Sequence, residues 1–72
     1  MKTVKLEQWN ICIDDNHKTI KEDNKLAIFF EDNQFIILLT VNKEGNIIME
    51  RCSTPCRCVI DHNHKKIVIE LR

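Results

Sequence analysis

A chain of 72 residues has room for one small domain, spanning 1–72, and a domain of that size hides only about 60% of the surface its unfolded chain exposes. That excludes a deep substrate cleft and makes a metal, disulfides or a second copy the usual supports. Apolar residues make up 43% of the chain, too many for a disordered segment, and eleven Lys+Arg balance eleven Asp+Glu, so no net charge draws it to nucleic acid or an anionic membrane.

Eleven isoleucines against one alanine and one glycine favour strands over helices. The first apolar pattern is Val4, Leu6, Trp9, Ile11 and Ile13. Its parity shifts between Leu6 and Trp9, which predicts a bulge or bend near Glu7-Gln8. Asp14 to Lys25 is polar apart from Ile20 and reads as the one long connection, with room for a helical turn around Thr19–Asp23. A connection of that length in so small a domain is a candidate binding loop, with His17, Lys18 and Ile20 as its contact residues.

Short apolar runs follow: Leu26–Phe30, Phe35–Val41, Ile47–Cys52, Cys56–Ile60 and Ile67–Leu71. Polar turns separate them, at Glu31–Gln34, Asn42–Asn46, Ser53–Pro55 and Asp61–His64. Phe35–Leu39 is apolar on both faces and reads as a central strand. Gly45 supplies the positive φ of a type I turn with a G1 bulge. In the last run Ile67, Ile69 and Leu71 point inward, with Lys66, Val68, Glu70 and Arg72 outward. The fold class is all-β: an antiparallel meander of about six short strands, curled into a small barrel of SH3-like or OB-like proportions, or pairing as a dimer.

Chemistry concentrates at Cys52, Cys56, Cys58, His62 and His64, since thiolates and imidazoles are the ligands zinc prefers. The spacing argues against a zinc knuckle. Cys56 and Cys58 on a regular strand sit about 6–7 Å apart, whereas two sulfurs on one zinc approach within about 4 Å. The competing readings are cysteines as small core hydrophobes, which is favoured, a zinc site, and disulfides, with Cys12 to one of the cluster as a candidate pairing. No cofactor is expected, with zinc as the alternative. A nucleophilic cysteine lacks an evident oxyanion-hole turn, so no enzymatic activity is expected.

Arg51, Arg57, Lys65 and Lys66 form a weak basic patch, which a nucleic-acid-binding barrel would use. With four aromatics, Trp9, Phe29, Phe30 and Phe35, the pattern weighs against that partner. Trp9 is the best surface anchor, although burial is the default for a lone tryptophan. Met1–Glu7 has charges where a leader needs an apolar core, and no apolar run approaches a membrane span, so a cytoplasmic protein with reduced thiols and no membrane partner is expected. The expected function is that of a small binding module, an accessory or inhibitor-type protein, acting through a protein partner or self-association. Its size and its Ile/Asn/Lys richness would fit a phage or mobile-element origin.

Overall fold

A computed structural model describes residues 1–71; Arg72 and the side chain of Leu71, read above as outward and inward, lie outside that description. Eight strands form: β1 Lys2–Leu6, β2 Trp9–Ile13, β3 Lys18–Glu22, β4 Lys25–Phe29, β5 Phe35–Val41, β6 Ile47–Cys52, β7 Cys56–Asp61 and β8 Lys66–Leu71. They make two four-stranded sheets, ordered β1-β2-β8-β7 and β3-β4-β5-β6. No helix and no closed barrel occurs among the described residues.

The two extra strands come from two tight turns. The bulge or bend expected near Glu7-Gln8 is a tight hairpin turn: Leu6 pairs with Trp9, and Glu7 between them takes a left-handed φ of 55°. The polar stretch after Asp14 is no loop either. Lys18–Glu22 pairs along Lys25–Phe29, with Asp23 at φ 54°. Its charged residues are compatible with a strand because β3 is a sheet edge, where charge is tolerated and useful.

β3 to β6 is a true antiparallel meander, with β5 inside the sheet as its two apolar faces require. The Asn42–Asn46 turn is closed by Gly45 N donating to Asn42 O at 3.0 Å, with Gly45 at φ 83°. Phe30–Gln34 repeats the device, with Asn33 at φ 72° in the glycine's place. The other sheet is not a meander. Its middle is a parallel ladder, Asn10–Cys12 against Lys66–Val68, joining the N-terminal and C-terminal hairpins.

One core lies between the sheets. Leu6, Trp9, Ile11, Ile13, Ile67 and Ile69 meet Leu26, Ile28, Ile36, Ile37, Leu39 and Val41. Ile36 and Ile37 are both buried because the β4–β5 register shifts there and leaves Ile36 as the extra residue. The Trp9 indole Nε1–H donates to Gly45 O at 2.8 Å, tying the start of β2 to the opposite sheet's β5–β6 turn.

Ile37→Ala should lower unfolding stability by about 2–5 kcal/mol in chemical denaturation, through lost transfer energy and the cavity left behind. Ile20→Ala, at a side chain 61% exposed, should change it by no more than about 0.5 kcal/mol. Equal effects would contradict the assigned faces.

Candidate functional site

The side where β6 and β7 lie is the least finished part of the molecule. β6 is an edge of one sheet and β7 an edge of the other, and Ser53-Thr54-Pro55 joins them. Among the described residues no ladder pairs them. The ladder contacts give each residue its face. On β6, Met49 and Cys52 lie opposite buried Leu39 and Ile37, so both sit on the inner parity. On β7, Cys56 and Cys58 pack partly buried against the core, and Ile60 follows on the same parity. Met49 and Ile60 are each 43% exposed, because no strand closes the gap between the two edges.

Three thiols gather at the narrow end of this seam. Cys52 Sγ lies 3.3 Å from Cys56 Sγ, and Cys52 also donates to Thr54 O at 2.9 Å. The turn between them is anchored: Ser53 N donates to Ile36 O at 2.9 Å, and Ser53 Oγ to Phe35 O at 2.5 Å. Burial pushes the Cys56 thiol up to about 12, helped by its hydrogen bond to Cys52 and by the charges Cys58 and Cys52 would carry. Burial also raises Cys58, with a hydrogen bond to Cys56 working against it. Each thiolate would be poorly hydrated and would repel its neighbours, so protonation is favoured.

The histidines are elsewhere. They follow the far end of β7, whose five steps from Cys56 to Asp61 span about 16 Å by the strand rise. His64 Nδ1 is 2.7 Å from Asp61 Oδ2, and the same carboxylate accepts from Asn63 N and His64 N. The hydrogen bonds from His64 and Asn63 hold the Asp61 carboxyl below its ordinary range. His62 stacks edge-on against Trp9 at 5.7 Å between ring centroids. Among the described residues no group of three or more His, Cys, Asp or Glu side chains is arranged to hold a metal ion. The five residues read as one cluster therefore divide into a thiol group and a turn.

Other candidates are redistributed. Trp9 is fully buried beneath His62 and Lys65, whose Nζ lies 5.2 Å from the indole centroid, so it is no surface anchor. His17 is buried against Phe30, with no hydrogen-bond partner for Nδ1 among the described residues. Lys18 donates to Asn33 Oδ1, and Ile20 stands exposed on the outer face of β3. The basic patch does not form. Arg51 lies over Phe35 on the outer face of one sheet, while Arg57 stands opposite Glu70 on the outer face of the other. A bridge from Cys12 to the cluster is excluded by parity: Cys12 faces outward beside Thr3 Oγ1 at 3.7 Å, and Cys56 and Cys58 face the core.

Reading by motif missed Ile48, Met49, Val59 and Ile60, four of the six large exposed hydrophobics, all on β6 and β7. The signal was present: both runs carry apolar residues on both parities, yet only one face of an edge strand meets the core. Compared with family models, curated proteins and solved structures, the chain matches none.

Two titrations test this geometry. The raised Cys56 value is a stabilising contribution that is complete below an unfolded thiol's pKa of about 8.5. It is lost as pH rises from there toward about 12. Cys56→Ser should therefore flatten the alkaline fall in stability measured by denaturation at stepped pH. Asp61 has the opposite sign. Its lowered value contributes above an unfolded carboxyl's pKa of about 3.9, and that contribution is lost as pH falls through the lowered one. In His64→Gln the Asp61 carboxyl resonance should titrate at higher pH than in the unsubstituted protein; an unchanged midpoint would contradict the pairing.

Proposed function

We propose that this chain is a small non-enzymatic binding module working through protein–protein contacts at the β6–β7 side, and that its occupant is a second copy paired along β7. The observation that carries this reading is the exposed apolar character of β6 and β7 where the sheet edges are open.

The other edges are blunted. β3 presents Lys18, Lys21 and Glu22, β1 presents Lys2 and Lys5, and β6 is interrupted by the register shift that leaves Glu50 unpaired. Lysines and bulges are what proteins use to discourage edge pairing. β7 pairs with β8 without a register shift and contains no lysine.

β7 is also complementary to itself. On its outer face Arg57, Val59 and Asp61 lie opposite Glu70, Val68 and Lys66 of β8: an apolar pair flanked by opposite charges. An antiparallel copy centred on Val59 repeats that pattern. Val59 meets Val59, Arg57 meets Asp61, and on the inner face Cys58 meets Ile60. This is the self-matching contact a two-fold axis requires. Each such cross-strand pair contributes roughly 0.2–1 kcal/mol, so the dimer is weak and concentration-dependent.

Sedimentation velocity over a range of concentrations under reducing conditions should show a monomer–dimer equilibrium. Val59→Lys should be monomeric throughout. Arg57→Ala should weaken the dimer by roughly three- to tenfold, since symmetry counts the lost pair twice. A monomer at every concentration, or a dimer indifferent to Val59→Lys, would overturn β7 pairing.

A further inference from the structure

We propose that Cys52 and Cys56 form a reversible redox site, a dithiol that a low-molecular-weight disulfide of the glutathione type converts to an internal disulfide. This does not depend on whether β7 pairs with a second copy.

Four features converge. The sulfurs are 3.3 Å apart, and a disulfide would require them to close by about 1.3 Å. The backbone between them is held to β5 through Ser53, and Pro55 fixes one φ of the turn, so the proximity belongs to the fold rather than to chance closure. Access is unequal. Cys52 is exposed and meets a solution reagent first, while Cys56 sits half-buried behind it. The elevated Cys56 titration means that its thiol waits protonated rather than competing for the reagent.

The exchange balances. Cys52, as thiolate after giving its proton to solvent, attacks one sulfur of glutathione disulfide. That sulfur–sulfur bond breaks, and one glutathione leaves as thiolate and takes up a proton. Cys52 now carries a mixed disulfide; the burial that chiefly raises Cys56 persists, while the hydrogen bond and charge that Cys52 added to it are gone. Cys56 loses its proton to solvent, attacks Cys52 Sγ and expels the second glutathione, which is protonated in turn. Two protein thiols have lost two electrons and two protons, and one glutathione disulfide has become two thiols. The new bond joins the edge of one sheet to the edge of the other. Cys58 stays reduced, and Cys12 is buried on the outer face of its sheet.

The test is equilibration of the full chain in glutathione redox buffers, acid quenching, and mass spectrometry with non-reducing peptide mapping. The expected product is lighter by two hydrogens and linked Cys52 to Cys56. Its equilibrium constant with glutathione should exceed that of the urea-unfolded chain by at least roughly tenfold, the equivalent of about 30 mV. Cys58→Ser should retain the linkage, and Cys56→Ser should stop at a glutathione adduct on Cys52. A Cys56–Cys58 linkage, a lasting adduct on Cys52 in the unsubstituted protein, or a folded constant no larger than the unfolded one would overturn the proposal. So would thiols shielded by a bound zinc ion in the native mass spectrum. The folded-to-unfolded comparison needs no substitution, so it holds even if a variant fails to fold.

Discussion

The parallel ladder between β2 and β8 is the constraint on which the rest of the molecule depends. Among the described residues it is the one strand pairing that joins distant parts of the chain, residues 10–12 with 66–68. Asn10 N donates to Lys65 O at 2.8 Å at its edge. Every other pairing links sequence neighbours. Without this ladder, β1-β2 and β7-β8 are two isolated hairpins, and a lone hairpin is marginal in water. With it, Ile67 and Ile69 are brought beside Ile11 and Ile13, and a second apolar face exists to cover the meander. It also sets Lys65 and His62 over Trp9, completing that side chain's burial. Pairing residues 10–12 with 66–68 carries the loop-closure cost of most of the chain, which these contacts must offset.

The same ladder explains why one side of the molecule is left open. It places β8 inside its sheet and pushes β7 to the rim, as the meander's order pushes β6 to the rim of the other sheet. The connecting Ser53–Pro55 turn holds the two rims together only at the cysteine end. Apolar residues of inner parity, Met49 and Ile60, then stay partly in water. A strand pairing along β7 would cover Ile60 and satisfy edge groups that otherwise bond to solvent. The thiol pair sits where the rims meet, so its oxidation would fasten the two sheets beside that edge.

Much of the fold was legible in the sequence. Period-2 runs and turn residues located β4 to β8 within about a residue, and Gly45 marked its turn by its φ requirement. β3 was hidden because Ile20 alone breaks a charged stretch, and a solvated edge strand has no apolar periodicity to detect. The Glu7-Gln8 hairpin was visible as a parity shift, but neither residue is a usual bearer of positive φ, so the reading went no further than a bulge or bend. The parallel pairing left no local trace, since β2 and β8 each look like any half-buried strand.

The candidate site was half legible. Cys56 and Cys58 share one face of β7, as their spacing requires, whereas the close pair, Cys52 and Cys56, spans a turn whose shape depends on Ser53 reaching back to Phe35 and Ile36. His62 and His64 were near the cysteines in sequence but belong to the opposite end of the β7–β8 hairpin. The most direct test of the functional reading is amide hydrogen exchange along all four edge strands at low and high protein concentration. The account predicts that alternate β7 amides, free in the monomer, gain protection as concentration rises while those of β1 and β3 do not. Protection that is independent of concentration, or that appears on β1 or β3 instead, would contradict it.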